Sequence, residues 1–137
     1  MNFKFDKPLT YEETVRFHGH NGPFVALGYR LGRYIVTELK PRYIDDIQIE
    51  VYCKRTTPFS CLVDGLQCST HATLGKGNIE LFDSEELVII VKAWLGEEVC
   101  SCIVSPRALD ICIESDNIEE AAKRILDSPE RLLWRKQ

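Results

Sequence analysis

The sequence predicts a single α+β domain over residues 1–137, with helices at both ends and a mixed or antiparallel sheet of about four to five strands between them. Three observations carry this reading. Apolar residues recur at helical spacing in "PFVALGYRLGRYIVTEL" and "NIEEAAKRIL", near opposite ends of the chain. They alternate strictly in "DIQIEVYCK". Three more strand-like runs, "NIELF", "ELVIIVKAW" and "EEVCSCIV", then follow one another without a helical run between them.

Taken in order, "TYEE" offers a capping box, with Thr10 as N-cap and Glu13 three residues on, so a short helix is expected from Tyr11 toward Phe17. The segment His18 to Gly22 interrupts it, and Pro23 is placed to be the first residue of a second helix. On that helix Leu27, Leu31, Tyr34 and Ile35 face the core, while Gly28 and Gly32 imply close approach of a neighbouring backbone. Residues 46–54 put Ile47, Ile49, Val51 and Cys53 on one face of a half-buried strand. "PFSCLVDGLQCST" has helical spacing despite Gly65. After the three central strands, Asn117 caps one helix and Pro129 opens a short last one in "SPERLLWRK".

Composition excludes several classes. A hydrophobic fraction of 45% with 28% charged residues belongs to a globular chain, not a disordered one. The net charge of -4 argues against nucleic acid as a partner, since phosphate binding needs clustered Lys and Arg. No apolar run approaches the ~20 residues that cross a bilayer, and the start "MNFKFDKPLTYEE" lacks the features of a signal peptide. A cytoplasmic protein without membrane association is expected. The six cysteines include no CxxC pair, and Cys53, Cys100, Cys102 and Cys112 are read as reduced core fillers.

All three histidines stand in the two most glycine-punctuated segments, "FHGHNGPF" and "CLVDGLQCSTHATLGKGN". His18 and His20 aim at one point if the backbone between them is extended. His20 equally suits a hydrogen-bonding role at the helix start, with His18 packing. In the second segment Cys61, Asp64, Gly65, Cys68 and His71 fall on one helical face, which also has a plain packing interpretation. Together the segments supply imidazoles, a thiol and a carboxylate, a set that suits zinc or another divalent transition metal and not Ca²⁺ or Mg²⁺. The ligands rank His20, then His18 and Cys61, then His71. Ten residues of helix separate Cys61 from His71, about 15 Å at 1.5 Å per residue, so the last joins only if the helix ends early. In "TLGKGN" the backbone around Gly75 and Gly77 can cradle an anion beside Lys76, or serve as a tight connection with both glycines at positive φ. It is not a P-loop, because the spacing is wrong and a strand follows.

These two segments together resemble the core domain of the formylmethanofuran dehydrogenase E-type (FmdE) family, whose patterns are close to FHGHxCPGxALGYR and CxxDAIQxxTGCTxGKGN. His18, Gly19, His20, Pro23, Gly28, Tyr29 and Arg30 match the first pattern; Cys61, Asp64, Gln67, Thr70, Thr73, Gly75, Lys76, Gly77 and Asn78 match the second. Gly22 and Ala72 stand where the patterns have cysteine, and His71 where glycine is usual. The resemblance implies an α+β domain, a homodimer, and a metal-containing cavity lined by these motifs, without the C-terminal zinc finger some members carry. It implies His18, His20 and Cys61 as metal ligands, to which His71, standing where the pattern has glycine, would add a substitute fourth. Asp64 would orient an imidazole or act as general base on a metal-bound water, and Lys76, the second catalytic candidate, would line the cavity with Tyr29 and hold an anionic or carbonyl group. Tyr29, Thr73, Gly75 and Gly77 would hold a small anionic or carbonyl ligand. Other components of the formylmethanofuran dehydrogenase system would be partners, in an accessory role in one-carbon redox metabolism and methanogenesis. The competing expectation is a non-enzymatic dimeric binding module that has lost the family's redox cysteines.

Overall fold

Local signals set the first helices. In the computed structural model, which describes residues 3–137, the Thr10 hydroxyl accepts from the Glu13 amide while the Glu13 carboxylate accepts from the Thr10 amide. That closed box starts α1 (Tyr11–His18). Gly19 ends it in a left-handed conformation, φ 104°, which a residue with a β-carbon enters only at a cost of about 1–2 kcal/mol. Gly22 then precedes α2 (Pro23–Leu39), with Pro23 in the first turn as its fixed φ favours.

Beyond α2 the order is β1 (Gln48–Cys53), α3 (Cys61–Thr70), β2 (Ile79–Asp83), β3 (Ile90–Leu95), β4 (Glu98–Val104), α4 (Pro106–Glu114), α5 (Ile118–Asp127), α6 (Glu130–Leu133) and β5 (Trp134–Lys136). The five strands form one mixed sheet in the order β2-β1-β3-β4-β5. β1 and β2 are parallel, with Ile49 opposite Ile79, because α3 supplies the crossover a parallel pair requires. The remaining pairs are antiparallel. One sheet face is buried, through Ile49, Val51, Cys53, Val91, Ala93, Cys100, Cys102 and Val104. The opposite face, with Tyr52, Ile90, Trp94 and Ile103, is half-buried. All six cysteines are free and buried.

The structure departs from the sequence reading at three places. Residues 106–114, to which period assigns no element, form α4, started by the Ser105 hydroxyl accepting from the Ala108 amide. The run "ELVIIVKAW" becomes a strand only from Ile90, because Tyr52–Ile90 is the last rung of its ladder with β1. The short last helix does not extend through "SPERLLWRK": α6 lasts a single turn, and Trp134 leaves it to pair with Val104 as β5.

At the centre, α2 packs against α3 and α5 and on the sheet. Its contact with α3 is backbone on backbone. A β-carbon at Gly28 would overlap the Leu62 carbonyl, and one at Gly65 would overlap the Val25 carbonyl and the Tyr29 amide. At the next turn a β-carbon on Gly32 would overlap the Ser69 hydroxyl. Leu27, Leu31, Leu62 and Leu66 are fully buried around this crossing, each contributing about 1.5–3 kcal/mol relative to exposure.

The glycines can be tested directly. Gly65→Ala is expected to lower stability in urea unfolding by roughly 1–3 kcal/mol or more, since the overlap is with main chain that cannot rotate away; a wild-type midpoint would contradict this packing. In the 73–78 turn the sequence expectation of positive φ at both glycines holds only for Gly77, at φ 73°. Gly75 lies outside that region and faces open space. Gly77→Ala should therefore cost about 1 kcal/mol, and Gly75→Ala should stay within about 0.5 kcal/mol of wild type.

Candidate metal centre

His18 is the last residue of α1, and the left-handed turn at Gly19 brings the chain back so that the His20 ring lies beside it, centroids 4.5 Å apart. The two histidines converge through a helix end and a reversal, not through an extended segment. Tyr11 stabilises the loop: its phenol donates to Asn21 Oδ1 at 2.6 Å, and burial pushes its pKa up to about 12. Gly22 follows closely enough that a β-carbon there would lie 3.1 Å from His20 Nε2.

Cys61, the first residue of α3, completes the cluster. One ligand atom from each of His18, His20 and Cys61 lies within 4.8 Å of the other two. Ligands sharing one tetrahedral zinc at bonds of ~2.0–2.3 Å stand roughly 3.3–3.7 Å apart, so side-chain shifts of about 1 Å would close the set. Burial, with the Asp64 carboxylate next in order, pushes the Cys61 thiol up. A metal that binds it must therefore displace a proton.

Asp64 lies one turn along α3 from Cys61, and its Oδ2 accepts from His18 Nδ1 at 2.6 Å. A carboxylate only accepts, so Nδ1 carries a ring proton, and in the neutral ring Nε2 then carries the lone pair. His18 Nε2 is buried and has no hydrogen-bond partner, in a side chain only 9% exposed. An unpartnered buried acceptor costs about 1–3 kcal/mol. A metal ligand whose second nitrogen is held by a carboxylate has this arrangement. The residues fit a divalent transition metal, and when bound it would supply Lewis acidity at a site with three protein ligands.

The other residues named from sequence lie elsewhere. His71 stands apart from the three: it caps α3 in a left-handed conformation, φ 63°, with its Nε2 3.2 Å from the Lys7 carbonyl and its ring edge-on to Phe5. The helix runs to Thr70, so the early end that would bring His71 to Cys61 does not occur. The Lys76 ammonium donates to the His71 carbonyl and to Thr73 Oγ1, which uses it to close the turn. The Tyr29 hydroxyl donates to the Leu9 carbonyl at 2.7 Å and ties the N-terminal segment to α2.

Asp64 also lines a cavity of about 930 Å³. Thr73, Gly75 and His71 line it, with an apolar wall that includes Phe17, Val63 and Leu74. Gly77 and Tyr29 are not among its lining residues. Phe17 and Leu74 are exposed large hydrophobic residues. Sequence reasoning gave no role to Gln67 beyond a motif match. It lines the cavity and donates to Asp64 Oδ1 at 3.2 Å; its spacing of three from Asp64 on a helix was the available signal.

Among curated proteins, the chain is 29% identical to a "Probable S-adenosyl-L-methionine-binding protein" of Archaeoglobus fulgidus, over 87% of this chain and 36% of that protein. The chain thus spans about a third of the length of the relative it matches. A family profile described as "FmdE, Molybdenum formylmethanofuran dehydrogenase operon" matches residues 17–134, a span that holds the histidine loop, Cys61, Asp64 and strands β1 to β4. The chain belongs to the FmdE family.

Proposed function

We propose that this chain is a metal-binding member of its family, in which His18, His20 and Cys61 hold a divalent transition metal, zinc by the character of the donors, and Asp64 orients His18. The observation that carries the reading is the buried, unpartnered Nε2 of His18, placed in a cluster with a second imidazole and a thiol. Family membership supports an accessory role in one-carbon redox metabolism, with other components of the formylmethanofuran dehydrogenase system as partners. A small anionic or carbonyl ligand would enter by the adjoining cavity, where Asp64 is the base nearest His18, with His71 and Glu80 also in the lining. Among the described residues no helix is long and apolar enough to cross a membrane.

The second reading, a non-enzymatic dimeric binding module, has its own support. Gly22 and Ala72 remove the cysteines of the family pattern, and Lys76 is engaged within its own turn instead of facing the cavity. Dimerisation belongs to both readings. The half-buried outer face of the sheet, with Tyr52 stacked on Phe82 and Ile90, Trp94 and Ile103 alongside, is a surface suited to a second copy.

Metal content after native purification separates the two. The metal-binding reading predicts close to one equivalent in the wild type, loss of metal in His20→Ala and in Cys61→Ala with folding retained, and full retention in His71→Ala. A metal-free wild type, or retention in both His20→Ala and Cys61→Ala, would leave the module. Sedimentation at micromolar concentration should show a dimer; a monomer would remove the dimer from both readings.

A further inference from the structure

The carboxylate that orients His18 is itself held in place. Gln67 Nε2 donates to Asp64 Oδ1 at 3.2 Å, leaving Oδ2 for His18 Nδ1 at 2.6 Å. The other end of the same amide, Gln67 Oε1, accepts the Leu74 backbone N–H at 2.8 Å. The direction of the amide is fixed by its partners, since a carboxylate takes only a donor and a backbone N–H takes only an acceptor. Glutamine alone offers both from one planar group at this reach; asparagine is a methylene shorter, and glutamate has no donor when ionised.

Leu74 belongs to a turn closed on itself. Gly77 N–H donates to the Leu74 carbonyl, Asn78 N–H to the Thr73 carbonyl, and Thr73 N–H to Asn78 Oδ1. The Leu74 amide is the donor that leaves the turn for α3. Its side chain is 79% exposed and stands in the cavity wall, as does Gln67.

We infer that Gln67 is a positioning residue of the metal centre: it orients Asp64 toward His18 and fastens the 73–78 turn, with the cavity wall it carries, to that carboxylate. The inference rests on the metal-binding reading above. Groups beyond the ligands that fix an imidazole typically alter metal affinity by about 10–100-fold when removed. The hydrogen bonds run in series from His18 to Leu74, and any coupling they carry between the two ends is reciprocal.

The test uses the full chain, Co²⁺ and Zn²⁺ as probes, and two variants. Gln67→Met keeps the side-chain length and removes both donor and acceptor; Leu74→Pro removes the N–H that Gln67 accepts, together with an exposed side chain, and fixes φ at that position. Gln67→Met is expected to weaken metal binding by about 10–100-fold and to change the Co²⁺ absorption spectrum. Leu74→Pro is expected to weaken binding by a smaller factor. In the wild type, metal should slow hydrogen exchange at the Leu74 amide, and in Gln67→Met that response should vanish. A merely structural glutamine would shift Tm in Gln67→Met but leave its metal affinity and spectrum at wild-type values, which overturns the inference. If Gln67→Met does not fold, Leu74→Pro decides: unchanged affinity together with a Leu74-turn exchange pattern indifferent to metal overturns it. Loss of metal from His20→Ala alongside wild-type affinity in Gln67→Met would sink the role of Gln67 and keep the metal centre. A wild type that binds neither ion would sink both.

Discussion

The direct contact between the backbones of α2 and α3 is the constraint on which the site depends. Gly28 and Gly65 remove the β-carbons that would hold the two helices a side chain apart. Helix axes normally pack about 8–10 Å apart with side chains between them, and here main chain meets main chain. The consequence appears at the start of each helix. The loop that carries His20 leads straight into α2, and Cys61 is the first residue of α3, so drawing the helices together brings thiol and imidazole to one point. Glycine in a helix interior costs roughly 1 kcal/mol against alanine. Gly28, Gly32 and Gly65 all lie along this one interface, where the close approach outweighs that cost.

Polar groups in the site follow from this placement. Once α3 lies against the α1–α2 loop, Asp64 faces His18 and a carboxylate settles the tautomer of the ring. The other nitrogen then points into a space where no protein group answers it. Gly22 contributes by absence: a β-carbon there would crowd His20 Nε2 at 3.1 Å, so the side chain that the family pattern places at this position would enter the cluster itself. Three protein ligands without that fourth would leave a coordination position for a small molecule, the arrangement of catalytic more than of structural zinc sites.

Much of the fold was legible because it is locally encoded. The Thr10–Glu13 box, Pro23 at the start of α2, the alternation of β1 and the spacing of Gly28 and Gly32 each report a local or nearest-neighbour constraint, and each lies where the sequence puts it. What the sequence hid is non-local. β5 is three residues whose strand character comes from pairing with β4, about thirty residues earlier in the chain. The histidine pair was legible as a pair, but its geometry rests on the left-handed Gly19, which turns a helix end back on itself. His71 was attractive because it is one of only three histidines. Its position is instead a helix cap at φ 63°, where the family pattern has glycine. The place of Gln67 is non-local as well: it donates to Asp64, whose other oxygen accepts from a residue 46 positions away.

The proposed metal centre therefore stands on one geometric condition, that the α2–α3 contact delivers two imidazoles and one thiolate to a single ion. X-ray absorption at the metal edge of the zinc-loaded protein tests it most directly. The expected first shell holds one sulfur at about 2.3 Å and two imidazole nitrogens at about 2.0 Å, completed by a light atom. A shell without sulfur, or one built from oxygen alone, would contradict it.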